Sequence, residues 1–134
     1  MRRRAKLVVL PIVAALVLAI GASNSIPRAF AAVHNRAVFG TFDTAGAPPR
    51  VDYCGRRYYP GTNVDSLTQV NTFLALNNQS GLTRIDTAPS GMPIVANVMP
   101  PDVRARYSTN VCTMSLWVQT GPDAYLGYGL SGGP

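Results

Sequence analysis

Two arginines and two tyrosines stand side by side at positions 56–59. A guanidinium group binds carboxylate or phosphate in a bidentate manner, and a tyrosine ring offers a flat face to a sugar or another ring. Trp117 lies on the more polar face of a predicted strand, with Tyr125 or Tyr128 expected beside it across a hairpin. These features predict an aromatic, weakly basic ligand surface that comprises Arg56, Arg57, Tyr58, Tyr59, Trp117, Tyr125 and Tyr128. The alternative is cross-strand aromatic packing in which arginine stems cover the sheet.

Catalysis is the less favoured interpretation, and we predict no catalytic residue. Acid–base chemistry would need two of the six Asp residues in one cleft, with separated pKa values. Asp52 and Asp86 lie in predicted strands beside Arg56 and Arg84, where exposed ion pairs account for them as well. The only histidine, His34, is expected in an N-terminal tail. A small secreted hydrolase acting through Asp residues remains an alternative.

Neither a metal nor a cofactor is predicted. The two cysteines lack the spacing and the additional ligands of a metal site. Gly127–Gly132 matches the G-x-G-x-x-G pattern, but a dinucleotide site needs a helix directly after the glycines, and two residues follow in this sequence. We therefore expect these glycines at the flexible end of a hairpin.

Cys54 and Cys112 are the only cysteines, and an even count in an exported domain predicts one intramolecular disulfide. The bond would close a loop of about 59 residues, for which chain entropy gives a stabilisation of about 4 kcal/mol. Because net stability is typically about 5–15 kcal/mol, this bond is expected to decide whether the domain stays folded.

The first 31 residues have the three parts of a secretory signal peptide. Residues 1–6 are basic, residues 7–22 are apolar, and Ala29-Phe30-Ala31 is a small-x-small cleavage site. We predict export and cleavage after Ala31, which leaves residues 32–134 as a single small domain. The apolar run is shorter than the roughly 20 residues of a membrane-spanning helix. The alternative is that the same run is an uncleaved N-terminal membrane anchor.

Most of the net charge of +6 belongs to this leader. Without it the chain keeps seven Arg and six Asp, a net charge of +1, which gives no reason to expect a nucleic-acid partner. A membrane contact is expected only if the leader is retained. The predicted location is secreted or in the cell envelope, and the predicted partner is an unidentified envelope or extracellular protein or glycan.

The remaining pattern predicts an α+β or mostly-β domain, with a small antiparallel sheet of about six short strands and one helix, stapled by one disulfide. The predicted strands are Ala37–Phe42, Val51–Tyr59 with a bulge at Gly55, Leu82–Thr87, Pro93–Met99, Val111–Gln119 and Ala124–Leu130. The last two form a hairpin that turns at Gly121-Pro122-Asp123. The helix is predicted at Asp65–Asn77, where Ser66 and Gln69 fit a capping box.

Residues 87–104 contain four prolines, at positions 89, 93, 100 and 101. A stiff extended segment between turns can present a strand edge to a partner, as the loops of protease inhibitors do. A protease-inhibitor-like module is therefore a further alternative, beside an ordinary surface connection.

The chain as a whole resembles the small exported proteins of unknown function that are common in actinobacteria. The shared features are the basic leader, the alanine-rich cleavage site, a domain of about 100 residues with arginine as its only basic residue besides one histidine, and one disulfide. The resemblance implies no functional residues. Our leading hypothesis is a non-enzymatic exported domain that binds a partner in the envelope or outside the cell.

Overall fold

The computed structural model describes residues 26–79, 81–107 and 113–131. Two compact units make up the chain, Met1–His34 and Asn35–Pro134. Residues 26–39 are helical and are labelled α1. Among the described residues, no helix is both long enough and apolar enough to cross a membrane.

Six antiparallel strands of the second unit form one curled sheet. The elements that follow α1 are β1 (Val51–Tyr53), β2 (Arg56–Asp65), α2 (Leu67–Leu76), β3 (Thr83–Thr87), β4 (Pro93–Ala96), α3 (Pro101–Tyr107), β5 (Ser115–Gly121) and β6 (Ala124–Leu130). The strand order is β1-β2-β6-β5-β4-β3. The predicted class, α+β with an antiparallel sheet, is confirmed, although the described residues contain more than one helix.

The two faces of the sheet carry separate hydrophobic cores. The larger core consists of Phe39, Val51, Tyr58, Ala88, Ile94, Ala96, Leu116, Val118 and Tyr128. The smaller core lies on the face that carries α2 and consists of Val70, Leu74, Trp117 and Tyr125. Side chains alternate along a strand, so the neighbours Leu116 and Trp117 belong to different cores.

The prediction of one strand over Val51–Tyr59 is wrong, because the chain reverses within it. Cys54 and Gly55 have φ angles of 58° and 71°. Two consecutive residues with positive φ form a type I′ turn, whose twist suits a two-residue hairpin. Tyr53 consequently pairs with Arg56, and β1 and β2 are two antiparallel strands.

The predicted strand at Ala37–Phe42 and the loose tail before it are also wrong. Phe39 belongs to α1 and is 1% exposed, and Gly40 ends the helix with a φ of 75°. The guanidinium of Arg50 donates a hydrogen bond to the carbonyl of Ala37 at 2.8 Å. Ala37 lies in the last turn of α1, where carbonyl groups have no partner within the helix. Packing and capping therefore outweigh the strand propensity of this aromatic, β-branched segment.

Helix α3 differs from the prediction, which places Pro100 and Pro101 in a stiff extended segment. Proline suits the first position of a helix, where its fixed φ is favourable and its missing N–H has no partner to lose. Asp102 lies in the first turn and Arg104 and Arg106 in the last turn, as the helix dipole favours.

The other predicted elements are confirmed: α2, β3 and β4 are shorter than predicted, β5 extends beyond the predicted end to Gly121, and β6 has the predicted bounds. They are α2 with its capping box, β3, β4 and the terminal hairpin of β5 and β6, in which Gly121 pairs with Ala124. Cys112 lies outside the described residues, so the disulfide is not seen in the part that the structure describes, and the bond stays a prediction.

Two tyrosines of the larger core fasten distant loops to the sheet. The hydroxyl of Tyr58 donates to the carbonyl of Thr113 at 2.6 Å, and that of Tyr128 donates to the carbonyl of Pro48 at 2.6 Å. Burial raises the pKa of Tyr128 to about 12. Burial is also the main cause of the raised pKa of Tyr58.

From the raised pKa of Tyr128 we predict that the free energy of unfolding falls in alkaline solution. The unfolded chain releases the Tyr128 proton near the ordinary pKa of 10.0, whereas the folded chain holds it to about 12. The free energy of unfolding is therefore expected to be at its full value below pH 10 and to fall as the pH rises toward about 12. Urea denaturation at several pH values measures this fall.

Tyr128→Phe removes the hydroxyl group and keeps the aromatic ring, so it isolates the contribution of the hydroxyl. At neutral pH the loss of one buried hydrogen bond is expected to lower the free energy of unfolding by about 1 kcal/mol, and the alkaline fall should become shallower. Tyr59→Phe, at an exposed position, is the matched control and should change neither. An alkaline slope that is the same in Tyr128→Phe as in the unaltered protein would contradict this assignment.

Candidate functional site

A groove of about 530 Å³ lies on the sheet face that carries α2. This volume is within the range of about 300–1,000 Å³ that is typical of ligand pockets. The lining consists of Gly61, Thr62, Asn63 and Asp65 from β2, Gln69, Val70 and Phe73 from α2, and Ser115, Trp117, Gly127, Tyr128 and Gly129 from the β5–β6 hairpin. We refer to the space enclosed by these residues as the groove.

The floor of the groove is bare backbone, because three lining residues are glycines. On β6, Leu126 and Tyr128 pack with the larger core, so Gly127 and Gly129 face the groove. A Cβ atom added at Gly129 would meet no heavy atom within 4 Å, while one added at Gly127 would lie 3.5 Å from the indole Nε1 of Trp117. The indole therefore borders the floor, and the space above Gly129 is open.

A bulge in β2 builds one wall. Between the pairs Pro60–Tyr128 and Val64–Leu126, β2 advances four residues while β6 advances two. The extra residues must leave the plane of the sheet, and proline, which has no N–H to donate to the ladder, suits the start of such a bulge. Within the bulge, the hydroxyl of Thr62 donates to Oδ1 of Asn63 at 3.3 Å.

Helix α2 builds the opposite wall, and its capping box orients a groove residue. The backbone N–H of Gln69 donates to the Ser66 hydroxyl at 3.3 Å, and Oε1 of Gln69 accepts from the N–H of Ser66 at 2.8 Å. Oδ1 of Asp123 accepts from the N–H of Leu67 at 2.7 Å, which ties the start of α2 to the β5–β6 turn. The Gln69 amide is thus held in one orientation beside the groove.

An aromatic pair closes this wall against the sheet. The rings of Phe73 and Trp117 meet edge to face, with centroids 6.0 Å apart and planes at 70°. Phe73 is 47% exposed, whereas Trp117 is 5% exposed. The pair therefore offers a ligand one half-open ring and the edge of a fixed indole.

The seven residues of the predicted ligand surface are distributed over both faces of the sheet. Tyr58 and Tyr128 are buried in the larger core, and Trp117 and Tyr125 are buried beneath α2. Arg56 pairs with Tyr53 on the face of the larger core, because side chains alternate along β2.

Arg57 and Tyr59 lie on the same face as the groove. Tyr59 pairs with Gly129 of the floor and is 40% exposed, and the side chain of Arg57 is 61% exposed. Together with Trp117 and Tyr125, which are buried beneath α2, these two are the predicted residues that the fold brings to this side of the sheet. Their role in binding stays a prediction.

Most of the aspartates have structural partners. Asp52 forms ion pairs with Arg50 at 3.4 Å and with Arg57 at 3.5 Å, rather than with the predicted Arg56. Oδ1 of Asp86 accepts from the N–H of Thr87 at 2.7 Å. Asp65 is the one carboxylate in the lining of the groove, which contains no basic side chain. The described residues hold no cluster of three or more potential metal ligands.

The middle of the proline-containing segment is a strand of the sheet, and its end is the start of α3. Strand β4, at Pro93–Ala96, pairs with β3 on one side and β5 on the other. Ile94 and Ala96 are fully buried. This strand therefore has no free edge to present to a partner.

Sequence reasoning missed the bulge, the glycine floor and the two α2 residues, Gln69 and Phe73, that line the groove. One available indication was the alternation of Gly127 and Gly129 with large apolar residues, which leaves one strand face without side chains. Gly61 carried no such pattern, because its place opposite Gly127 depends on the pairing of β2 with β6, which is not a property of the residues around Gly61.

The comparisons with known proteins give no match: no family model, no curated protein and no solved structure is similar to this chain. The function is therefore inferred from the site itself.

The capping box gives a prediction about the α2 wall. Ser66→Ala removes the hydroxyl that accepts from Gln69, and the free energy of unfolding is expected to fall by about 1 kcal/mol. Thr68→Ala, in the exposed first turn of the same helix, is the control and should leave stability unchanged or slightly raised. Urea denaturation of both variants measures the difference, and equal stabilities would contradict the role of the cap.

Proposed function

We propose that this protein is an exported, non-enzymatic binding protein that holds a ligand in the groove. The observation that carries the proposal is the open glycine floor between an aromatic pair and a wall of amide, hydroxyl and carboxylate side chains. A largely preformed concave site with a few convergent polar groups is typical of ligand binding. The predicted leader places this activity in the cell envelope or outside the cell.

Binding is favoured over hydrolysis by the distribution of carboxylates. General acid–base catalysis by Asp residues needs two carboxyl groups in one cleft. Asp65 is the one carboxylate of the groove, while Asp52 and Asp123 are engaged by arginine side chains and by the start of α2. No observation favours the inhibitor-like alternative, since β4 is paired on both sides.

Gly129→Val tests whether the groove binds. Gly129 does not have positive φ, and a Cβ there enters open space, so valine should fill the groove without straining the backbone. Valine also suits a strand better than glycine, so stability should be kept or raised. Thr83→Val, on the edge strand β3, is the matched control.

The measurement is a two-dimensional ¹H–¹⁵N NMR screen of the mature protein with a library of sugars, amino acids, dipeptides and small aromatic compounds. Shifts are expected at the Trp117 indole, the Gln69 side-chain amide, Gly127 and Gly129. They should disappear in Gly129→Val and persist in Thr83→Val. Shifts that are absent throughout the library, or that survive in Gly129→Val, would overturn the proposal.

We also propose that Cys54 and Cys112 form the disulfide that the export of the chain favours. The hydrogen bond from Tyr58 to Thr113 supports this, because it places the residue that follows Cys112 against β2, close in sequence to Cys54. The bond would then tie the β1–β2 turn to the segment that leads into β5.

Intact mass spectrometry of the exported protein, alkylated with and without prior reduction, tests both the bond and the leader. Two alkylated thiols are expected only after reduction, in a species that begins near Ala32. Thiols that are alkylated without reduction would exclude the disulfide, and a full-length species in the membrane fraction would identify residues 7–22 as an anchor.

A further inference from the structure

We infer that the ligand of the groove is a linear oligosaccharide of uncharged sugars, an inference that rests on the proposed function. The groove combines two kinds of group that sugars use. Side-chain amides and hydroxyls offer donors and acceptors to neighbouring sugar hydroxyls, and exposed aromatic rings pack against the apolar face of a sugar ring.

The polar groups of the groove suit hydroxyl groups rather than anions. Asn63 and Gln69 supply amides, Thr62 and Ser115 supply hydroxyls, and Asp65 supplies a carboxylate. Phosphate and carboxylate ligands are usually held by arginine or lysine, and the lining contains neither. Arg57, which lies outside the lining, is already paired with Asp52 at 3.5 Å. The charge of the site therefore disfavours an anionic ligand.

The position of the aromatic rings indicates a ligand that is extended in one direction. Trp117 pairs with Gly127, and Tyr59 pairs with Gly129 two residues farther along β6. Two spacings between strands and two residues along a strand separate the backbones of Trp117 and Tyr59 by about 12 Å. Between them the floor is glycine, so a chain of sugars can lie flat from one ring to the other.

The strand pairing disfavours an extended peptide. Peptides that bind to sheets add to a free edge, where unpaired N–H and C=O groups are available. The floor strand β6 is paired with β2 on one side and β5 on the other, so a peptide in the groove would find no ladder to join. A sugar needs no such ladder, because its hydroxyls are satisfied by side chains.

Isothermal titration of the mature protein with neutral hexasaccharides and the matching disaccharides tests the inference. The probes are oligomers of glucose, mannose, xylose and N-acetylglucosamine. Oligogalacturonate provides the charged comparison, and an alternating Gly-Ser hexapeptide provides the peptide comparison. At least one neutral hexasaccharide is expected to bind more tightly than its disaccharide and more tightly than either comparison.

Tyr59→Ala removes a ring that lies outside the lining of the groove but next to it, on the residue that pairs with Gly129 of the floor. The hexasaccharide is expected to bind about tenfold more weakly, because it loses one ring contact, whereas the disaccharide, held at Phe73 and Trp117, should change less than about twofold. Phe42→Ala, at an exposed ring that does not line the groove, should change neither affinity. Equal losses for both sugars, or none, would overturn the extended placement.

The outcomes also separate this inference from the proposed function. If library compounds shift the groove resonances but no neutral hexasaccharide binds, or if oligogalacturonate or the peptide binds better, the inference is wrong and the proposed function stands. If no probe of any class perturbs the groove, both are wrong.

Discussion

The alternation of side chains along β6 sets what lies on each face of the sheet. Leu126 and Tyr128 enter the larger core, and the residues between and after them, Gly127 and Gly129, leave the opposite face bare. Glycine in a strand costs conformational entropy and contributes no packing. Pairing with β2 and β5 on both sides holds the strand in place in spite of this cost. Strand β6 therefore contributes side chains to the larger core on one face and leaves the floor of the groove without side chains on the other.

Helix α2 makes that bare face into a site. Its buried residues Val70 and Leu74 pack with Trp117 and Tyr125, which fixes the helix on the sheet. Gln69 and Phe73 of the same helix line the groove. Gln69 has two roles: its Oε1 completes the capping box, and the same amide lines the groove. The local hydrogen bond that starts the helix therefore also orients a group that a ligand would meet.

The two buried phenols connect the core to segments far away in sequence. Tyr128 bonds Pro48, 80 positions earlier, and Tyr58 bonds Thr113, 55 positions later. A buried hydroxyl without a hydrogen-bond partner is costly. Each phenol therefore needs the backbone carbonyl of its loop, and the same hydrogen bond holds that loop against the sheet. In a small domain with a limited core, such contacts hold irregular segments that otherwise have few apolar residues to bury.

Features whose interactions span only a few residues follow from the sequence. The Ser66–Gln69 capping box, the alternation in β5 and β6 and the hairpin between them were predicted because each depends on neighbours in the chain. Tertiary contacts decide that Phe39 ends a helix and which of the two alternating faces of β2 enters the larger core. They also decide the groove, because Gly61 meets Gly127 only through the register of β2 with β6, which no local hydrogen bond or side-chain pattern sets.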